Sequence, residues 1–552
     1  KASIGFYVLG DKKVLWESGV MKKGDVPKRI DLDIKSIRLL GLLVTDADDG
    51  IDYDHADWCD AKLELTEKRS PSELVVKVST EPYILTPKPS DNPKINGAKV
   101  FGGRPGNPFL HTVAATGKRP MTFSVEGLPD GLVLDPSTGR ITGSIKNEGV
   151  YKVALTAKNE LGQAERELRI SVGNKICLTP PMGWNSWNCW ACAVDDQKVR
   201  ASADAMVESG LINHGWTYIN IDDCWEIKPD ATEPELQGQQ RDENGKINTN
   251  KKFPDMKALG DYVHGKGLKL GIYSSPGPLT CAGFTASYQF EEKDALRFSD
   301  WGIDYLKYDW CSYGRIAKDQ SLPELKKPYF VMRAALDKVP RDIVYSLCQY
   351  GMGNVWEWGA EVGGNCWRTT GDIVDTWQSM STIGFGQAGH EKYAGSGHWN
   401  DPDMLVVGLV GWGPQLHPTR LTPDEQYTHI SLWCLLSAPL LIGCDLSKLD
   451  DFTLNLLTND EVIEINQDPL GRQASRLSND RGKQIWVKEM EDGSKAVGFF
   501  YADDSGKKAP PDYFNWEKRD KAKMVLKASD LGITGKFKVR DVWRQKDRGV
   551  HD

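Results

Sequence analysis

Long apolar runs are missing from this chain. The longest, at 432–443, falls short of the roughly 20 residues a membrane-spanning helix needs and carries Pro439, so no membrane span is expected. Concentrated positive charge is missing too. Lys and Arg number 69 against 77 Asp and Glu, a net charge of -8, with no basic block to track a phosphate backbone. That sets nucleic acid aside as a partner. The nine histidines form no ligand cluster, and no glycine-rich loop follows a strand in the pattern that cradles phosphate. Metal-centred and phosphate chemistry are therefore not expected, and no cofactor is. The eleven cysteines are an odd number, so at least one has no partner within the chain. No CxxC pair repeats at zinc spacing: CWAC at 189–192 stands alone, and nothing around it reads as a redox unit. The chain opens at Lys1 with neither Met nor an apolar leader, as expected where an export signal has been removed or was never included.

At 552 residues the chain is too long for one core, and three or four domains are expected. Residues 1–80 alternate polar and apolar in short runs (SIGFYVLG, KVLWESG, IRLLGLLVTDA), the signature of an antiparallel β-sandwich. Seven Asp residues lie between Asp46 and Asp60. Their spacing does not fit a helix-loop-helix calcium loop, so turn Asp residues are the first reading and a calcium site the second. VTDADDGIDYDHADWCDAKL resembles the later half of a carbohydrate-binding-type (NPCBM-like) module; either the first strands lie outside the chain or the module is incomplete. TPKPSDNPK, 86–94, reads as a linker. Over 90–173, strand alternation between Pro and Gly turns fits an immunoglobulin-like sandwich and resembles the Ig modules that space secreted enzymes. No chemistry is assigned to it.

From 175 to 470 the texture changes to apolar strands separated by amphipathic helices. DDQKVRASADAMVESGL starts at Asp195 and Asp196 and puts Val199, Ala203, Met206, Val207 and Leu211 on one helical face. TPDEQYTHISLW begins with a capping box, Thr422 and Glu425, and has Pro423 at the first helical position. Eight strand-like segments recur, near Trp187, Asp222 and Asp223, Tyr273, Asp309, Gln349, Arg368 and Asp372, Asp403, and Leu441. That number, alternating with helices over roughly 290 residues, is the order of a (β/α)8 barrel. The expected fold class is thus multidomain: a (β/α)8 TIM barrel with β-sandwich modules before it and an antiparallel β domain, 471–552, after it. QIWVKEMEDGSKAVGFFYA supplies that last domain with a hairpin around Asp492 and Gly493.

The segment LKYDWC, 306–311, is the most telling. Apolar and aromatic residues run into a single carboxylate, Asp309, as when a buried parallel strand delivers one charged group to a barrel mouth. A single Asp at a strand end is more often a turn or cap residue; recurrence of the same design at eight strand ends favours a site. Asp309 is the candidate nucleophile.

The barrel motifs LTPPMGWNSWN, YINIDDCW, LKLGIYS, CAGF, DYLKYD, SLCQYG, WRTTGDI and GHWNDPDML, in this order, resemble those of glycoside hydrolase family 27, the α-galactosidase family, over about 176–470. The resemblance implies retaining hydrolysis of terminal α-galactosides. Asp309 would be the nucleophile and Asp372, in the WRxxxD pattern with Arg368, the general acid/base. Such chemistry demands two carboxylates about 5 to 5.5 Å apart, and only barrel closure can bring together positions so distant in sequence. The resemblance further implies that Asp222 and Asp223 hold the 4- and 6-hydroxyls, Lys307 the 3- and 4-hydroxyls, and Arg368 with Asp403 the 2-hydroxyl side. Trp187, Tyr273 and Met404 would line the pocket. It pairs Cys192 with Cys224 and Cys281 with Cys311, bridges that require an oxidising compartment and so place the chain in the periplasm or outside the cell.

Two departures from the family pattern stand out. CQY, 348–350, replaces CEW or CSW in a segment that faces the sugar's 2-substituent, where Gln349 can still donate and accept. Trp310 replaces a Gly after the nucleophile, which would narrow the leaving-group side. A β-L-arabinopyranosidase and an α-N-acetylgalactosaminidase remain alternatives within the family. A non-catalytic carbohydrate-binding protein is the alternative of another class, disfavoured because both Asp309 and Asp372 are retained.

Overall fold

The computed structural model of the chain describes residues 3–11, 13–38, 40–45, 58–59, 62–63, 82–502 and 523–551. It divides into two compact units: Lys1–Thr80 with Asp480–Lys483 and Tyr501–Met524, and Glu81–Asn479 with Gln484–Phe500 and Val525–Asp552. In the first, Ser3–Gly10 lies between Lys13–Lys22 and Leu40–Thr45, antiparallel to both, as the alternating pattern of these runs requires. Every Asp of the acidic stretch 46–60 lies outside the described residues.

The second unit opens on the stretch expected to be a linker, and its start is anchored instead. Thr86 is buried, its hydroxyl and carbonyl both taken by Asn459 and Asn455, and Tyr83 stacks on Tyr427. Composition marked the Pro-rich segment as a connector; it does not encode the two asparagines waiting 369 and 373 residues further on. Two sheets follow, one of Phe109–Thr112, Arg140–Gly143 and Leu132–Asp135, the other of Val100–Gly103, Gly162–Val172, Gly149–Asn159 and Thr122–Glu126. They close over a core that includes Phe109, Phe123, Ile141, Val153, Leu155, Leu168 and Ile170. This is the expected Ig-like sandwich.

The barrel strands are β1 (Met182–Asn185), β2 (Tyr218–Asn220), β3 (Lys269–Ser274), β4 (Ile303–Asp309), β5 (Val344–Cys348), β6 (Cys366–Arg368), β7 (Trp399–Asp401) and β8 (Leu440–Ile442). All neighbours run parallel, with β8 beside β1. The ring closes where Leu405, just past β7, bridges to Ile442, with Leu405 N donating to Leu441 O at 2.8 Å and Gly443 N to Leu405 O at 3.0 Å. The strands are buried on both faces, which is why they read as nearly continuous apolar runs. Gly271 has to be glycine: a Cβ there would lie 1.9 Å from Asn220 Oδ1 inside the ring.

The connecting helices are α1 (Asp196–Glu208), α2 (Met256–Gly265), α3 (Glu291–Trp301), α4 (Leu322–Leu336), α5 (Val355–Trp358), α6 (Trp377–Phe385), α7 (Pro423–Leu435), α8 (Asp451–Leu457) and α9 (Asp460–Asn466). Asp195 caps α1 by accepting from Lys198 N at 2.8 Å, and α7 carries the full Thr422–Glu425 capping box. Val199, Ala203 and Met206 are buried as expected, and so is Leu211 in the turn beyond. Val207 is not: it is exposed, because it follows Met206 by one residue, a rotation of about 100° away from the core stripe.

Several contacts between the Ig-like sandwich and the barrel fall on residues that precede strands, while Arg166 and Lys94 pair with Glu464 and Asp460 of α9. Arg104 and Asn107 bind Asp342, before β5, at 2.7 Å each; Thr112 donates to Gly267 O, before β3; Asn96 donates to Asn213 O, before β2. The module therefore covers the N-terminal end of the barrel and leaves the C-terminal mouth, where such barrels carry their chemistry, unobstructed. Past α9, Ser475–Asp480, Lys483–Glu489 and Lys495–Tyr501 form a three-stranded sheet whose hairpin turns at Gly493, and Phe537–Asp541 pairs antiparallel with Lys546–His551. Among the described residues, no helix is long and apolar enough to cross a membrane.

Candidate active site

Every residue singled out in the sequence at a barrel strand falls at that strand's C-terminal end or in the loop just after it. Asp309 is the last residue of β4 and is buried. Its carboxylate is held from two sides: Tyr350 donates to Oδ1 at 2.6 Å and Tyr273, on β3, to Oδ2 at 3.2 Å. Burial pushes the Asp309 carboxyl up to about 6; Lys307 and the Tyr350 hydroxyl pull it down, while Asp372 and Asp222 add to the rise. The two candidate catalytic carboxylates are thus near enough to feel each other's charge.

Asp372 sits in the loop after β6, its side chain 59% exposed, and accepts from Arg368 at 3.0 Å. Partial desolvation by the surrounding walls pushes its carboxyl up, but Arg368 and Lys307 more than reverse this and hold it below the ordinary carboxylate value. Arg368 is itself buried and also reaches Asp403 at 3.0 Å, so one guanidinium bridges both acids. Burial disfavours its charge, and the acids around it, led by Asp403, keep it firmly protonated. Asp403 adopts φ 82°, with Ile373 N donating to its Oδ2 at 2.9 Å.

The far wall is a second ion pair. Lys307 Nζ meets Asp222 Oδ2 at 2.8 Å, and Asn185 donates to the same oxygen at 2.9 Å. Lys307 thus pairs with Asp222 rather than with Asp309 on its own strand, though its charge still reaches Asp309 as a pull on the carboxyl. Asp223 is buried beside Asp222, accepts from Cys224 N at 2.7 Å and Ala282 N at 2.9 Å, and is pushed by burial up to about 6. Gln349 is buried: its Oε1 accepts from Gly351 N at 3.0 Å, while its Nε2 has no partner, and neither has Arg368 Nε. Two buried donors without acceptors, at the end of β5 and of β6, are what a hydroxylated ligand would satisfy. Tyr273 and Met404 are buried, and Trp187, in the helical turn after β1, is half-buried.

Disulfides join Cys192 to Cys224 and Cys281 to Cys311, with seven cysteines free. They tie the loop after β1 to that after β2, and the loop after β3 to the end of β4. Among the described residues, Cys281, Asp309 and Cys311 bring possible metal ligands within 4.8 Å of one another. The two sulfurs are bonded to each other, so no thiolate is there to bind an ion.

Trp310, next after Asp309, packs toward α4. Its ring packs on Tyr313 at 4.9 Å and over Tyr329 of α4 at 6.4 Å, and the residue is buried. Three residues escaped sequence reasoning. Asn185 steadies Asp222, and Asp401 accepts from Asp403 N at 2.8 Å; both are polar residues ending a buried strand, a signal that was legible. Tyr350 was seen only as part of the CQY departure, with the weight placed on Gln349.

Comparison with known proteins agrees with this geometry. The family model described as Alpha galactosidase A matches residues 179–468, the NPCBM/NEW2 domain 1–64, an Ig domain 94–173, and the Alpha galactosidase C-terminal beta sandwich domain 480–552. The chain is 43% identical over 384 residues to Alpha-galactosidase A of Cellvibrio japonicus, covering 67% of this chain and 86% of that one. The crystal structure of alpha-galactosidase I from Mortierella vinacea superimposes with a TM-score of 0.57 at 31% identity, over 68% of this chain and 92% of that one. A β-L-arabinopyranosidase from Geobacillus stearothermophilus does so with a TM-score of 0.58 at 27% identity, over 68% and 92%. On the ordered motifs, the closed barrel and a family match across more than half its length, the chain belongs to the α-galactosidase A family.

Proposed function

We propose that the chain is a retaining exo-glycosidase that releases terminal α-D-galactosyl residues from oligo- or polysaccharides, with Asp309 as nucleophile and Asp372 as general acid/base. The observation that carries this reading is the pair itself: a buried carboxylate fixed by two hydroxyls, beside a second carboxylate that is exposed and tied to an arginine. A group that attacks carbon has to be aimed, whereas one that exchanges protons with leaving group and water needs access. In the first step Asp309 forms a bond to the anomeric carbon as the glycosidic C–O bond breaks, and Asp372 gives its proton to the departing oxygen. In the second, water attacks the same carbon, its proton goes to Asp372, and the electron pair returns to Asp309. No cofactor enters the scheme.

The Asp222–Lys307 and Arg368–Asp403 pairs offer charged acceptors and donors to a ring of hydroxyls, and Gln349 Nε2 and Arg368 Nε supply two unspent donors. Aromatic faces such as Trp187 pack against the C–H face of a pyranose. The two disulfides fit an extracytoplasmic location. The test is a fluorinated α-galactosyl inactivator, expected to label the peptide holding Asp309, together with NMR of the first-formed product, expected to retain its α configuration. Labelling at another carboxylate, or a β product, overturns the assignment.

A further inference from the structure

The Tyr350 hydroxyl is placed where neither the apolar pattern of β5 nor its own side-chain type would put it. β5 ends at Cys348, and the chain then passes through positive φ at Tyr350 (63°), Gly351 (84°), Gly353 (61°) and Asn354 (54°). For Gly351 this is unforced, and a Cβ there would in any case meet Thr369 O at 2.3 Å. For a tyrosine the left-handed region is strained, and such strain persists only where the surroundings fix it. Here they do. The hydroxyl donates to Asp309 Oδ1 at 2.6 Å and touches Cys281 Sγ at 3.3 Å, while the Tyr273 hydroxyl, donating to Oδ2, touches Cys311 Sγ at 3.1 Å. Two phenols therefore stand on the two sulfurs of one disulfide and grip the two oxygens of one carboxylate.

From this we infer that Tyr350 is a positioning residue for the nucleophile, which it holds in one plane and whose negative charge it stabilises when the galactosyl–Asp309 bond breaks. The inference rests on the proposed roles of Asp309 and Asp372. In the second step the electron pair of the C–O bond returns to Asp309 as water adds to the anomeric carbon and Asp372 takes the water's proton. A hydroxyl donating to that carboxylate makes it the better leaving group. Burial and the nearby Asp309 keep the Tyr350 phenol far above its ordinary range, so it stays a donor at every working pH. The other groups facing Asp309 are Lys307 on its own strand, Asp222 after β2, Tyr273 on β3, Tyr329 of α4, Cys348 on β5 and Asp372 after β6. Of these, Tyr273 is the only second hydroxyl bonded to the carboxylate, at the longer distance of 3.2 Å.

The experiment is Tyr350→Phe, which keeps the ring and removes the donor, assayed on nitrophenyl α-galactoside with the wild type first shown to be labelled at Asp309. A hydrogen bond to a charged group is worth enough to slow the second step roughly ten-fold or more. The expected result is that kcat and KM fall together by that factor, a burst of nitrophenol appears as galactosyl-enzyme accumulates, and the pH limb governed by Asp309 moves upward by about one unit or more. Tyr273→Phe should show the same pattern at smaller amplitude. Site-specific 3-fluorotyrosine at position 350, a stronger donor that leaves the packing in place, should move the limb downward; this keeps the inference testable if the phenylalanine variant folds poorly. An unchanged limb with no burst, or a rise in KM alone, overturns it. Wild-type labelling away from Asp309 would instead overturn the proposed function beneath it.

Discussion

The proton inventory of the site leads to a specific pH profile. The proposed mechanism needs Asp309 ionised and Asp372 protonated, yet in the free site the preferences run the other way. Burial raises the Asp309 carboxyl to about 6, and Arg368 with Lys307 holds Asp372 below the ordinary carboxylate value despite the partial desolvation around it. The single proton that the pair shares between its two titrations thus resides mostly on Asp309, and only the minor arrangement with the proton on Asp372 is productive. Since both arrangements carry one proton, kcat/KM follows the one-proton state of the pair as a whole. It should rise through a limb below the usual carboxylate range, level off, and fall above about pH 6, losing roughly ten-fold for each further unit. The perturbation that separates this from a simple nucleophile titration is Asp372→Asn, assayed with a dinitrophenyl galactoside whose leaving group needs no proton. Removing Asp372 ends the requirement for the shared proton and takes away a like charge that raises Asp309. Arg368 keeps Asp403 at 3.0 Å, so the wall of the pocket stays charged as before. The variant's kcat/KM should therefore rise with pH and stay on a plateau well above 6, where the wild type falls. A wild-type plateau extending to pH 8, or a variant that still falls above 6, would refute this reasoning.

Two further outcomes follow from the same structure. Thiol counting on denatured, unreduced protein should find seven reactive cysteines and four blocked, at 192, 224, 281 and 311; all eleven reacting would remove the support for an oxidising compartment. Nitrophenyl α-galactoside should be cleaved ahead of β-L-arabinopyranoside by roughly ten-fold or more if Asp222 and Asp223 hold the 6-hydroxyl as the family resemblance implies, since buried groups are then left unpaired when it is absent, with α-N-acetylgalactosaminide poorest. Asp222→Glu should narrow that gap, and equal cleavage of the pentoside by the unmodified chain would show that the pocket was read wrongly.

Strand ends were legible because burial on both faces writes a simple rule into the sequence: an apolar run that stops at a polar residue marks where a barrel strand reaches its mouth. Asp309, Arg368 and Gln349 all follow that rule. Helix starts were equally legible, since Asp195 and the Thr422–Glu425 box satisfy backbone donors within their own few residues. What was not legible is where a side chain points once the regular pattern ends. Trp310, one residue past β4, turns toward α4 because its backbone is already helical there, at φ -57° and ψ -48°. Val207 was assigned to a face one residue too generously. In both cases the residue type is compatible with either direction, and only the backbone decides.

Tyr350 belongs to this class but teaches more, because its backbone is one that tyrosine avoids. The same holds elsewhere around the mouth: Cys224 after β2, Cys311 after β4 and Asp403 after β7 have φ of 83°, 38° and 82°. Each such residue costs on the order of 1–3 kcal/mol, and none would persist on an unsupported loop. Two of the four are cysteines whose disulfides close 32 and 30 residues, and each bridge contributes about 3 to 4 kcal/mol by restricting the unfolded chain. The other two rest on those bridges or on the ion pairs: Tyr350 on Cys281 Sγ, Asp403 on Arg368. At these four positions the restraint lies in the loop that presents the functional group; other non-glycine residues with positive φ, such as Asp11 and Gln545, sit in turns between strands that present none. Around the mouth, the most informative substitutions fall at residues whose conformation, rather than whose chemistry, is out of the ordinary.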